Sequence, residues 1–364
     1  MILVFAGCFS PYQGESGTIT INFGNSSGAR GAVWPDSANG EPGEFHHIEH
    51  RITLTGPSGT ITRIVKGGDT VRISVAPGLW EIQIEDFCYG ELFALGSSEQ
   101  PFEVKAGQNE PISIKMLRAS HATFYTVGNS EWNSFSDWLF SSEYFLILTE
   151  DIEAFGYSST NNTFNSVNGV TIIGNGHKIT LSSADTGSLF TINGGEVRIK
   201  DVRLIGHSDN DAALVTVNGG KFIMESGSIS GNTNNSTVTE GGGVAIGNNG
   251  SFEMTGGTIS KNKSTMTGGG GVSVNGTFTM NGGTISGNET SSSGGGVYVG
   301  GVGIFRMING IIENNTGASG SGSLFVNTGT PANNVTYGRA PNGTDGGTFS
   351  STDAAIRVIN GQLR

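Results

Sequence analysis

Apolar residues recur along the second half of the chain at intervals of 25 to 30 residues. Val170, Val197, Phe222, Phe252, Phe278 and Phe305 anchor successive units. Ile172, Ile199, Met224, Met254, Met280 and Met307 stand two residues after them. Leu204, Ile229, Ile259, Ile285 and Ile312 come five residues further on, with the first unit one residue out of register. His207, Asn232, Asn262, Asn288 and Asn315 follow after three more. Leu214, Val244, Val272, Val297 and Leu324 close the units, three of them behind a run of glycine. Three short strands per unit predict one coil of a parallel β-helix.

Side chains alternate across a strand, so Phe252 and Met254 should point inward and Glu253 outward. Gly256-Gly257 permits the bend, and Asn at the next corner tolerates the left-handed conformation. Stacked Asn232, Asn262, Asn288 and Asn315 should form an amide ladder. Glu196 and Lys221 lie 25 residues apart, as do Lys200 and Glu225. Both pairs should therefore meet in adjacent coils about 4.8 Å apart. One coil cannot bury enough apolar surface to offset its ordering, so the stack needs neighbours and caps. Ser130 can cap a helix that puts Trp132, Phe135, Trp138 and Leu139 on one face, a lid for one end. Residues 329–364 lose the repeat and close the other.

Residues 17–119 read differently. Val71, Ile73 and Val75 alternate with polar residues, Pro77-Gly78 turns the chain, and Trp80, Ile82 and Ile84 alternate again, which is a hairpin signal. Further runs at Ile19–Phe23, Ile48–Leu54 and Ile112–Met116, separated by clusters such as Gly56-Pro57-Ser58-Gly59, suggest a small antiparallel sandwich. The expected fold is all-β: an N-terminal antiparallel β-sandwich, then a three-faced right-handed parallel β-helix with a short capping helix. The expected divisions are 1–16 (signal remnant and tether), 17–119 (sandwich), 120–169 (capping helix and first coil), 170–328 (repeats) and 329–364 (C-terminal cap).

Composition narrows the function classes. Of 364 residues 60 are Gly, in pairs and triplets rather than at every third position, which excludes collagen. A net charge of −12 argues against nucleic acid and anionic membranes as partners. No run of about 18 apolar residues could span a bilayer as a helix. Two cysteines, Cys8 and Cys88, are too few for a disulfide framework.

Phe5-Ala6-Gly7-Cys8 follows an apolar run and resembles the bacterial lipobox. That resemblance implies cleavage before Cys8 and lipid on its thiol, in a protein of the bacterial cell envelope (outer membrane or cell surface); secretion is the alternative. Ala76-Pro77-Gly78-Leu79-Trp80 with Val104-Lys105-Ala106-Gly107 resembles the prealbumin-like, carboxypeptidase-regulatory-like modules of surface proteins. Gly-Gly-Gly-Val (241–244, 294–297) and Ile-x-x-Asn (229–232, 259–262, 285–288) resemble the repeats of the polymorphic outer-membrane protein family. Members of that family act mostly as adhesins or surface displays. The function expected is thus a non-enzymatic surface lipoprotein that binds a surface glycan or a host or neighbour-cell protein.

Pectin-degrading enzymes share the expected fold, so a polysaccharide lyase or glycoside hydrolase is the alternative. Lyase chemistry needs carboxylates for Ca²⁺ and an Arg base. Asp201, Arg203, Asp209 and Asp211 form the best local cluster. Asp209-Asn210-Asp211 can bind Ca²⁺, although polar corner residues explain the same string. Arg198-Ile199-Lys200 is similar to a polygalacturonase motif, but the accompanying carboxylate pairs and His-Gly are absent. His46 and His50 share one strand face and can ligate a metal with a third partner, although a polar sandwich surface also explains them. No cofactor is expected. The candidate binding face is a pair of hydroxyl columns: Ser228, Thr258 and Thr284, then Ser230, Ser260 and Ser286. The corner Thr233–Gly243 is the longest between repeats and a natural place for a binding loop.

Overall fold

The structure, a computed structural model, describes residues 16–22, 48–66, 70–88, 90–112, 114, 116–118, 123–128, 132, 144–154, 163–165, 169–265, 268–318, 321–327, 334–337, 347–348, 356–359 and 362–363. The chain divides into two compact units, 1–122 and 123–364. Cys8, His46 and most of the expected lid helix lie outside the described residues. No described helix is long and apolar enough to cross a membrane.

The first unit is antiparallel apart from one short parallel pairing. Strands β1 (Gly17–Asn22), β2 (Ile48–Gly56), β3 (Gly59–Lys66), β4 (Thr70–Val75), β5 (Gly78–Cys88), β6 (Glu91–Ser97), β7 (Phe102–Val104), β8 (Gly107–Gln108) and β9 (Met116–Arg118) form two sheets, β4-β1-β8 and β3-β2-β5-β6-β9, with β7 beside β5. Ile19, Ile21, Ile73 and Val75 of the first share one buried cluster with Ile52, Leu54, Trp80, Ile82 and Ile84 of the second. The expected hairpin at Pro77-Gly78 is not one. β4 pairs with β1, whereas β5 pairs with β2, β6 and β7. The turn carries the chain from one sheet to the other, with Gly78 at φ 137°. Trp80 seals the crossing: its indole N–H donates to the Ala76 carbonyl at 2.8 Å. Hairpins lie instead at Gly56–Gly59, between β2 and β3, and between β5 and β6, where Cys88 is opposed to Glu91.

The second unit is a parallel β-solenoid of about six turns. Wall A stacks Val170, Val197, Phe222, Phe252, Phe278 and Phe305 in register. Wall B stacks Ile152, Ile179, Leu204, Ile229, Ile259, Ile285 and Ile312. Wall C stacks Phe190, Val215, Val244, Val272, Val297 and Leu324. All of these side chains are buried. The four Phe rings pile up with centroids 5.1, 4.8 and 5.1 Å apart, each contact worth about 0.5–1.5 kcal/mol beyond burial.

Several positions differ from the sequence reading. Wall C takes Val215, not Leu214. The first unit is two residues longer between walls, not one, because Asn175 (φ 50°) and Gly176 (φ 82°) make an added turn. Ahead of Val170, within the span expected to hold the first coil, Thr123–Val127 pairs with Tyr144–Leu148, which pairs with Gly169–Ile173. Trp132 is buried, its N–H donating to the Gly128 carbonyl at 3.0 Å, and its ring lies 6.1 Å from Phe190. At the far end three described pairings are antiparallel: Gly310–Glu313 with Ile356–Ile359, Ile356–Ile359 with Gln362–Leu363, and Val335–Tyr337 with Gly347–Thr348. Glu196 and Lys221 are in register, but Lys221 pairs with Glu253 at 2.7 Å and Glu196 with Arg198 at 2.8 Å. Lys200 and Glu225 approach to 3.9 Å.

The corner after wall B holds asparagines, buried at 232, 262 and 288 and half-buried at 315. Asn262 Oδ1 accepts from the Asn232 N–H at 3.2 Å, and its amide donates to the Ile229 carbonyl at 3.0 Å. Asn288 does the same for Asn262 (3.0 Å) and Ile259 (2.9 Å), and Asn315 for Asn288 (2.9 Å) and Ile285 (2.9 Å). These asparagines do not take the left-handed conformation expected of them. The residue before each does: Gly231 (φ 72°), Lys261 (57°), Gly287 (65°) and Asn314 (55°). Bending one residue earlier lets the amide turn inward, where its bonds are dry.

Candidate functional site

Wall C carries one outward column: Thr191, Thr216, Ala245, Ser273, Tyr298 and Phe325. Its upper half breaks the polar parity of the other outward positions. Tyr298 and Phe325 are half-buried, their rings nearly parallel (6°) with centroids 5.7 Å apart. Parallel rings in contact sit about 3.5–4 Å apart in plane spacing, so these are offset like tiles, each showing part of its face. Tyr298 leans over Gly268, where a Cβ would come within 2.5 Å of the ring. The Asn327 amide donates to the Tyr298 hydroxyl oxygen at 3.0 Å, which leaves the phenolic hydrogen to donate elsewhere.

The long corner supplies a carboxylate to the same column. Its bends are fixed by its own side chains. Asn234 is buried and its amide holds the Thr239 and Gly241 carbonyls at 3.1 and 2.9 Å. Ser236 Oγ accepts from the Val238 and Thr239 N–H groups. Val238 projects from the tip, 84% exposed. Glu240 then crosses to the next coil, where Oε2 accepts from Ser273 Oγ at 2.6 Å and Asn275 Nδ2 at 2.9 Å. Both described bonds fall on Oε2. Ser273 and Tyr298 are directly opposed, one strand spacing apart. A fixed carboxylate, a phenol, carboxamides and stepped aromatic faces thus share one rigid wall.

The sequence-derived candidates fall elsewhere. Ser228, Thr258 and Thr284 do form one column, and Ser230, Ser260 and Ser286 the next, half-buried on wall B. The columns end at Arg203 and Ile205 on one side and at Ile311 and Glu313 on the other. Asp209 and Asp211 are exposed and flank buried Asn210, whose amide donates to Asn232 Oδ1 at 2.8 Å. His50 is not on a polar surface: it is fully buried, its Nδ1 2.6 Å from Asp86 Oδ1. Burial pushes the Asp86 carboxyl above the ordinary range despite the His50 bond, and Asp86 Oδ2 has no described partner. Among the described residues no three His, Cys, Asp or Glu side chains converge to hold a metal.

The binding face expected from the sequence was the Ser and Thr columns of wall B, not this wall. The signal was Val-Tyr-Val and Leu-Phe-Val, where an aromatic sits between two inward residues at 297–299 and 324–326. Glu240 gave no comparable signal. No protein family, curated protein or solved structure matches the chain. The fold and this wall define a parallel β-helix protein with one polar–aromatic face.

Proposed function

We propose that the chain is a non-enzymatic surface protein whose solenoid binds glycans along wall C, with lipid on Cys8 tethering it to the bacterial envelope. The observation that carries this reading is Glu240, fixed by Ser273 and Asn275 beside the Tyr298–Phe325 step. A pyranose offers an apolar C–H face ringed by hydroxyls. Aromatic faces suit the first, and carboxylate, phenol and amide groups suit the second. A net charge of −12 favours neutral or amino sugars over uronates. The lipobox-like Phe5-Ala6-Gly7-Cys8 supports the tether.

A glycan array probed with the wild type and with Tyr298→Ala tests the binding. The wild type should retain a defined set of glycans, and the variant should lose it while keeping the wild-type far-ultraviolet circular dichroism. Equal retention by both would sink the assignment of wall C. Unsaturated products or new reducing ends from polygalacturonate, alginate or glycosaminoglycans with Ca²⁺ would favour the lyase or hydrolase alternative. For the tether, Cys8→Ser should abolish palmitate incorporation and release the protein into the medium.

A further inference from the structure

The first unit holds a groove of about 310 Å³ on the outer face of its larger sheet. The floor is two cross-strand rows, Thr53–Gln83–Ser97 and Thr55–Glu81. The wall is the corner 98–101, carrying Glu99 and Gln100. Ser98 pins that corner to β5: its N–H donates to the Ile82 carbonyl at 2.9 Å, and its hydroxyl accepts from the Ile82 N–H at 3.2 Å. The groove is therefore part of the sheet's own hydrogen bonding.

Its lining selects by chemistry. Glu81 and Glu99 stand there with no Lys, Arg or His among the lining residues, so an anion is repelled. An apolar ligand would strand the hydroxyls and carboxamides without partners, at about 1–3 kcal/mol for each one buried. Two carboxylates with no third His, Cys, Asp or Glu ligand are a poor cation site. A neutral polyol meets every condition. Its O–H groups donate to Glu81, Glu99 and the amide oxygens, and its oxygens accept from Thr53, Ser97 and the amide N–H groups. The volume sits at the lower end of small-ligand sites, about 300–1,000 Å³.

We infer that this groove binds a neutral oligosaccharide, independently of the solenoid wall.

The test titrates the full-length protein with maltotriose, cellotriose, mannotriose and chitotriose by calorimetry, with trigalacturonate as the anionic control. At least one neutral trisaccharide should bind with a millimolar or tighter Kd. Gln83→Lys, at an exposed strand position, should weaken that binding more than about tenfold by filling the floor, with no change in melting temperature. Glu81→Gln, which keeps the shape, should weaken it several-fold. Failure of all four neutral sugars to bind, preference for trigalacturonate, or full binding by both groove variants would overturn the inference. Failure of the wall C reading would show separately, as a Tyr298→Ala protein with the wild-type array.

Discussion

The buried amide ladder can be tested through Asn288. Its Oδ1 receives the Asn262 N–H at 3.0 Å, and its Nδ2 serves the Ile259 carbonyl at 2.9 Å. Removing the side chain strands both backbone groups, while Asn262 Nδ2 keeps Ile229 and Asn315 Oδ1 keeps the Asn288 N–H. Each stranded group costs about 1–3 kcal/mol, which gives about 2–6 in all. Ala leaves room for one water that could bond both groups and recover part of this. Leu fills the same volume and admits none. Asn288→Leu should therefore destabilise the solenoid by about 3–6 kcal/mol and Asn288→Ala by about 1–3. Urea unfolding followed by far-ultraviolet circular dichroism gives the ordering. Amide exchange at Asn262 and Glu289 localises it, because stacked repeats open in parts. A Leu variant no less stable than the Ala variant would refute the reasoning, since apolar filling would then replace the amide without loss.

Two further outcomes follow from packing and titration. Gly271→Ala would put a Cβ 2.6 Å from the Gly296 carbonyl oxygen and 3.1 Å from Asn288 Nδ2; it should cost about 1–3 kcal/mol, and a melting temperature equal to wild type would contradict the packing. Asp86 is held above its unfolded value by burial, so the folded first unit binds the extra proton and loses stability as pH rises from about 3.8 through the raised value. Asp86→Asn removes this dependence, so exchange protection of Ile52 and Ile84 should shift in favour of the variant between acid and neutral pH; a shift the other way would refute it.

The solenoid was legible because its inward residues repeat with fixed parity, and parity survives corners of different length. Phe222 to Phe252 spans 30 residues and Phe252 to Phe278 spans 26, yet both pairs are opposed. The Pro77-Gly78 turn misled because alternation on both sides looks the same whether a chain doubles back or changes sheet. The left-handed position was placed one residue late because Lys261 carries no sign of φ 57°. Tyr298 and Phe325 alternate with inward residues in Val-Tyr-Val and Leu-Phe-Val, yet the regular Ser and Thr columns drew the expected binding face to wall B. Glu240 was not legible, because its partners Ser273 and Asn275 lie 33 and 35 residues away across an irregular corner.

The two sequence signatures of the repeat are halves of one lock. Gly243, Gly271 and Gly296 pass so close to Asn262, Asn288 and Asn315 that a Cβ would fall 2.9, 3.1 and 2.8 Å from the amide nitrogens. Each Asn reaches back to the turn made before it, accepting that turn's N–H and donating to its Ile carbonyl. A turn is therefore finished only by its successor.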